Sequence, residues 1–196
     1  MADYKEWDIY YDKITEKCLS FYEIKNDDKN IWEMAIELMN IPGFPMHCPQ
    51  HHYLVSAVLL VACRQRQGES PANLKSDLAL AEERARNVLP GFCGWYGACG
   101  AAVGIGIFLS IITDTNPCSD ESWSWVNNAT GQALLKMAEI GGPRCCKRNT
   151  YIALEVARDL TEEYLGIVLE KQEKTECKYT EHNQECIKDK CPFYKA

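Results

Sequence analysis

His51 to Arg66 reads H-H-Y-L-V-S-A-V-L-L-V-A-C-R-Q-R, and the run from Tyr53 to Cys63 within it carries no charged side chain. Gly68 and Pro71 close the segment. A run of this length without alternation is too long for a typical strand and fits a helix buried on nearly every side. Such a helix needs other helices around it. The chain supplies them on both flanks.

Downstream, Ala72 to Leu89 is amphipathic and charge-laced, ending at Pro90-Gly91. Upstream, Tyr4 to Ile24 sets Trp7, Tyr10, Tyr11, Ile14, Cys18, Phe21 and Tyr22 at helical spacing, and Asp27-Asp28 is suited to start a second helix through Asn40. Further on, an apolar stretch reaches Thr113. Ser119 is placed to cap a helix from Asp120 to Ile140, stopped by Gly141-Gly142-Pro143, and a last helix spans about Asn149 to Leu169. No strand run is bounded by turn signals. The reading is all-α: a single bundle-like domain of about seven helices over residues 1–170, with a cysteine-rich tail at 171–196. That tail is too small for a core of its own, and cross-linking through a metal is one way for such a piece to order itself.

The chain has 196 residues and a formal net charge of -7, which disfavours a sequence-independent nucleic-acid binder. No apolar run reaches the roughly eighteen residues of a membrane span. The N-terminus, M-A-D-Y-K-E-W-D, lacks an apolar signal segment, so a cytoplasmic setting is expected. In a reducing cytosol, eleven cysteines point to metal binding or catalysis before disulfides. Cys18 and Cys63, in apolar helical contexts, read as plain buried thiols, and Cys118 carries no signal either way.

The other eight cysteines fall in four breaks between helices. In Met46-His47-Cys48-Pro49-Gln50-His51-His52, a helix start near Pro49 places Cys48 where the helix dipole favours a thiolate. Cys48 and His51 are candidates for catalysis, and His47 and His52 for metal ligation. Gly91 to Gly106, G-F-C-G-W-Y-G-A-C-G-A-A-V-G-I-G, holds Cys93 and Cys99 as candidate metal ligands. Gly94, Gly97 and Gly100 are suited to present amides to an anion or a cluster, and Gly100, Gly104 and Gly106 to let another helix pack closely.

In Gly141-Gly142-Pro143-Arg144-Cys145-Cys146-Lys147-Arg148, vicinal cysteines rarely share one ion. Cys145 is therefore read as a ligand and Cys146 as a catalytic thiol, while Arg144, Lys147 and Arg148 are candidates for binding an anionic substrate. Finally, Cys177, Cys186 and Cys191-Pro192 match metal-site chemistry. With His182 they suit zinc, and a cysteine followed by proline also closes many iron–sulfur motifs.

The combination C-P-x-H-H, G-x-C-G-x-x-G-x-C-G-A-A-x-G, G-G-P-R-C-C-K-R and a cysteine-rich end resembles an uncharacterised domain family of methanogenic archaea and anaerobic bacteria, over roughly residues 40–196. The resemblance implies an anaerobic setting and brings no activity. A weaker similarity, to serine dehydratases and cysteine desulfidases with three-cysteine clusters, transfers no residue.

Two function classes follow, with a third beside them. The first is an oxygen-sensitive iron–sulfur protein, its cofactor a 4Fe-4S cluster. It would act on a small anionic molecule by lyase, desulfuration or sulfur-transfer chemistry, at a site shared by the H-C-P-Q-H-H, G-F-C-G-W-Y-G-A-C-G and G-G-P-R-C-C-K-R loops. The second is a zinc-binding scaffold without catalysis, the zinc lying especially in the tail. The third is a metal-free thiol redox protein. Neither nucleic acid nor membrane is an expected partner. A homo-oligomer is left open.

Overall fold

The computed structural model describes residues 5–23 and 29–195. Eight α-helices are present among them: α1 (Ile9–Glu23), α2 (Ile31–Met39), α3 (Gln50–Gln67), α4 (Pro71–Arg86), α5 (Phe92–Trp95), α6 (Gly100–Ile112), α7 (Glu121–Ile140) and α8 (Cys146–Leu165). Short 3-10 turns lie at Lys5–Trp7, Thr180–His182 and Lys188–Lys190. Among the described residues there is no strand. The eighth helix, beyond the expected seven, is the single turn α5 inside the glycine-cysteine loop.

Helix α3 is the axis of the bundle. Every residue from Tyr53 to Cys63 is buried, and α3 packs against α1, α2, α4, α6 and α8. Its widest partner is α6, and the close approach is bought by glycines. A Cβ on Gly100 would stand 2.1 Å from the His52 ring, and one on Gly104 would stand 2.6 Å from the His52 carbonyl oxygen. Gly106 faces α7 instead, where a Cβ would meet Thr130 at 2.5 Å. Cys18 and Cys63 are fully buried in the core.

Several boundaries differ from the sequence reading, each for a local reason. Tyr4, Ile24, Asp27 and Asp28 lie outside the described residues; α2 itself starts at Ile31 on Asn30, whose Oδ1 accepts from the amides of Trp32 and Glu33 while the Glu33 carboxylate accepts from the Asn30 amide. This reciprocal cap satisfies amides that the first turn leaves free. Helix α4 runs only to Arg86, with Ser70 as its cap. Ser119 does not cap α7, because its hydroxyl accepts from the Asn116 amide. Helix α8 starts at Cys146, three residues earlier than expected, and stops at Leu165 because Gly166 takes a left-handed φ of 65°.

The segment after α8 lies on the bundle. Leu169, Tyr179 and Phe193 are buried in the same core as the helices, Phe193 meets Tyr151 edge to face at 5.2 Å, and Tyr179 donates to Asn40 Oδ1 at 2.8 Å. The backbone of Cys177 donates to the Phe193 carbonyl at 2.7 Å, which pins the two ends of the tail together.

Candidate functional site

Three helices of this bundle start at or next to a cysteine. Cys99 is the N-cap of α6, Cys145 the N-cap of α8 with Cys146 as its first residue, and Cys48 directly precedes Pro49, the N-cap of α3. Side-chain contacts tie these three starts together. The Cys146 amide reaches His47 Nδ1 at 3.5 Å, and Asn149 Nδ2 donates to Cys99 Sγ at 3.2 Å. At this end of the bundle the thiols divide into two groups, one on each side of the vicinal pair.

The outer group is Cys145, Cys177, Cys186 and Cys191. All four line one cavity, closed further by Arg148, Tyr151, Tyr179 and Asn183, which encloses about 370 Å³ of atom-free space, part of it open to solvent. Three of the sulfurs receive backbone N–H donors at 3.4 Å: Cys145 from Arg148, Cys177 from Tyr179 and Cys186 from Lys188. Asn183 Nδ2 adds a longer contact to Cys145 Sγ at 3.6 Å. Donors aimed at sulfur favour the thiolate, the form that binds metals. Burial pushes the Cys145 and Cys177 thiols up, against the Arg148 amide and guanidinium for Cys145 and the Tyr179 amide for Cys177. His182, expected beside the tail cysteines, is exposed and does not line this cavity.

The inner group is Cys48, Cys146 and Cys99. Burial raises the Cys48 thiol to about 12 and the Cys146 thiol further, while Cys146 feels the charge of both Cys48 and Cys99. The Cys48 amide and the Gln50 and His51 amides work in the opposite direction, on Cys146 and Cys48 respectively. His51 is fully buried, with Nδ1 3.3 Å from Cys48 Sγ and 3.0 Å from the Cys48 carbonyl, and its Nε2 has no hydrogen-bond partner among the described residues.

The two other histidines of this turn are engaged in packing and polar contacts. His47 Nε2 donates to Asn183 Oδ1 at 3.2 Å, with Glu185 at 3.5 Å, and its Nδ1 faces the Cys146 amide. His52 Nδ1 donates to the Val88 carbonyl at 3.0 Å, and its ring covers Gly100. Burial lowers the pKa of His47, and that of His52 to about 4.

A second cavity, of about 1130 Å³ of atom-free space including open solvent, lies on the far side of Arg148. Cys93, Gly94, Gly97, Cys99, Arg144, Arg148 and Asn149 are among its walls, and no carboxylate is. Gly94 and Gly97 have open space where a Cβ would go, whereas Gly100 is filled by His52 and gives helix packing rather than an amide cradle. Burial pushes the Cys99 thiol up, opposed by Asn149 and the Ala101 and Ala102 amides.

The basic trio does not act as one surface cluster. Only Arg144 is exposed. Arg148 is buried and donates to the Gly141 and Pro143 carbonyls, each at 2.9 Å, so it braces the loop between the two cavities. Lys147 is 1% exposed, with its ammonium over the Phe44 and Tyr179 rings at 4.6 and 4.8 Å and 3.4 Å from the Met39 carbonyl. Asn149 and Asn183, the side chains that hydrogen-bond to sulfur, were not singled out by the sequence; no motif or spacing marks them.

A family model described as a family of unknown function (DUF5714) matches residues 14–194, which spans the bundle, both cavities and the tail. The chain belongs to this family. No curated protein and no solved structure matches it. Among the described residues, no group of three or more His, Cys, Asp or Glu side chains is arranged to hold a metal ion as the chain stands, and no helix is long and apolar enough to cross a membrane. What the DUF5714 bundle does offer is four thiols around one partly open cavity and a second cavity beside it with Arg144 and Arg148 in its walls.

Proposed function

We propose that this protein is an oxygen-sensitive iron–sulfur protein, with a cluster held by Cys145, Cys177, Cys186 and Cys191, that acts on a small anionic molecule in the neighbouring cavity. The observation that carries the reading is the meeting of four cysteines from α8 and the tail at one cavity, three of them with amide donors on sulfur. Amide donors of this kind tune iron–sulfur clusters. A single zinc ion needs its four ligand atoms about 2.3 Å from one point, whereas a cluster takes thiolates spaced around a larger body. The second reading, zinc in the same four-thiolate site, is supported by the ligand set alone, which suits either metal.

Four thiolate ligands leave such a cluster no open iron, so the reaction belongs to the second cavity. There Arg144, exposed and 3.8 Å from the Glu185 carboxylate, supplies a cation that an anion would share with Glu185, and the Cys93 and Cys99 thiols suit desulfuration or sulfur transfer better than a lyase step. A cytoplasmic, oxygen-poor setting, of the kind the signature's resemblance to proteins of anaerobes implies, belongs to the same reading.

The test is purification without oxygen, followed by iron, zinc and acid-labile sulfide analysis of the wild type, Cys145→Ser, Cys177→Ser and Cys118→Ser. The expected result is iron and sulfide in equal amounts in the wild type. Cys145→Ser and Cys177→Ser should each lose one cluster's complement, about four irons, while the exposed Cys118 should be replaceable without loss. Colourless protein with stoichiometric zinc, or metal-free protein, overturns the proposal.

A further inference from the structure

Cys99 combines two properties at the second cavity: its sulfur is held in place, and it is reachable. It is half-buried rather than enclosed like Cys48, and it lines the cavity together with Cys93, Arg144, Arg148 and Asn149. Its backbone is fixed by the start of α6. The Ala102 and Val103 amides donate to the Cys99 carbonyl at 3.0 and 3.1 Å, and the His52 ring, itself bonded to the Val88 carbonyl at 3.0 Å, fills the space left by Gly100.

Its side chain is fixed by α8. Asn149, only 8% exposed, donates through Nδ2 to Cys99 Sγ at 3.2 Å, and its Oδ1 accepts from Arg148 Nε at 3.4 Å. Arg148 is held in turn by the Gly141 and Pro143 carbonyls, each at 2.9 Å. A carboxamide has one accepting end and one donating end, so the guanidinium on Oδ1 leaves the donor for the sulfur. The three side chains form a directed series from Arg148 through Asn149 to Cys99, the arrangement of a nucleophile whose partner is itself oriented. A donor on sulfur favours the nucleophilic thiolate. Among the described residues no such donor reaches the Cys93 sulfur.

The walls of the cavity also limit its chemistry. They hold two guanidinium groups but no histidine, carboxylate, lysine or tyrosine. Breaking a C–S or C–O bond generally calls on such a group to take a proton or to give one to the leaving atom. Attack of a thiolate on an S–S bond needs neither when the departing group is a stable anion. The cations then serve to bring an anion in, with Arg144 at the surface shared with Glu185 at 3.8 Å.

We infer that Cys99 is the catalytic thiol of the second cavity, that Asn149 and Arg148 are its positioning residues, and that its substrate is a small anion carrying a sulfane sulfur, with thiosulfate as the simplest case. The inference rests on the proposed reading of that cavity as a sulfur-transfer site and needs no metal. The Cys99 thiol gives its proton to solvent and the thiolate attacks the outer sulfur of thiosulfate. A new S–S bond forms, the S–S bond of thiosulfate breaks, and sulfite leaves with the electron pair, so Cys99 carries a persulfide and no oxidant or reductant is consumed. A small thiolate that then attacks the terminal sulfur takes it away and returns Cys99 to its starting form.

Full-length protein purified without oxygen is incubated with thiosulfate, trapped with iodoacetamide, digested and read by mass spectrometry. One extra sulfur atom should appear on Cys99 and none on Cys93, and Cys99→Ser should take up no sulfur while keeping the wild-type iron. Asn149→Asp keeps the shape of the side chain and an oxygen for Arg148 but has no donor for sulfur. It should slow alkylation of Cys99 about tenfold, the loss of one hydrogen bond to a charged group, and leave that of Cys93 unchanged. A purely structural role for Asn149 would alter both thiols, since they share the cavity. Far-ultraviolet circular dichroism identifies a variant that has not folded, and the wild-type sulfur count decides the nucleophile without any variant. Sulfur on Cys93 or on neither thiol overturns the inference, as does loss of iron in Cys99→Ser, which would make Cys99 a ligand; unchanged alkylation of Cys99 in Asn149→Asp removes the positioning role. Iron-free wild type that still carries sulfur on Cys99 sinks the cluster and leaves the transfer site standing.

Discussion

At the scale of single residues, the glycines of the 91–106 segment divide by what stands opposite them. Gly100 and Gly104 face the His52 ring and carbonyl, so an added methyl meets α3 at 2.1 and 2.6 Å. The carbonyl is backbone and cannot yield without moving the helix. Gly104→Ala should therefore destabilise the fold by about 1 to 3 kcal/mol in urea unfolding, the range for overpacked cores. Gly131, on α7 with open space around it, is the control, and Gly131→Ala should gain about 0.4 to 1 kcal/mol. Equal effects at the two positions would remove the packing explanation. The sequence allowed both uses of these glycines, because a glycine written in a chain does not say what approaches it.

At the scale of elements, helix starts decide where chemistry sits. The capping box at Asn30 fixes the entry of α2, and the same side chain donates through Nδ2 to Gln172 Oε1 at 2.9 Å, linking the cap to the chain after α8. Asn30→Ala should cost about 1 kcal/mol of stability, measured by thermal or denaturant unfolding, and Asn30→Asp, which keeps the cap, much less. The start of α8 mattered more for the site. Read from Asn149 onward, Arg144, Lys147 and Arg148 belonged to one basic loop. With the helix starting at Cys146, Lys147 and Arg148 turn inward and only Arg144 stays exposed, 3.8 Å from the Glu185 carboxylate. The physical reason is that Cys145 can cap the helix with its sulfur, a role that helix-start rules reserve for oxygen side chains.

At the scale of the whole molecule, one end of the bundle gathers buried neutral histidines as well as thiols. Burial lowers the pKa of His47, that of His51 well below the ordinary value and that of His52 to about 4. The unfolded chain therefore binds more protons than the folded one below about pH 6.5, and stability must fall as the pH drops through that range toward 4. The slope should approach 1.4 kcal/mol per pH unit for each extra proton, about what denaturant melts of metal-free protein at stepped pH values would read. His52→Gln should flatten it, and a slope unchanged by that variant would mean that His52 is not one of the groups responsible. The sequence by itself determined the helical class, the buried axis at residues 53–63 and which breaks carry cysteine, because hydrophobic period and helix punctuation are local properties of the chain. It also placed thiols, imidazoles and cations in those breaks. Only the tertiary structure decided how they are shared: Cys145 with the tail rather than with Cys93 and Cys99, His182 outside, Lys147 inside, and two asparagines aimed at sulfur. His47 reaches the Cys146 amide and Asn149 reaches Cys99 because α3, α6 and α8 pack with their starts at one end, and the tail reaches Cys145 because Tyr179 and Phe193 bury against the bundle. Those are contacts between distant parts of the chain, set by burial and close packing, and no local pattern contains them.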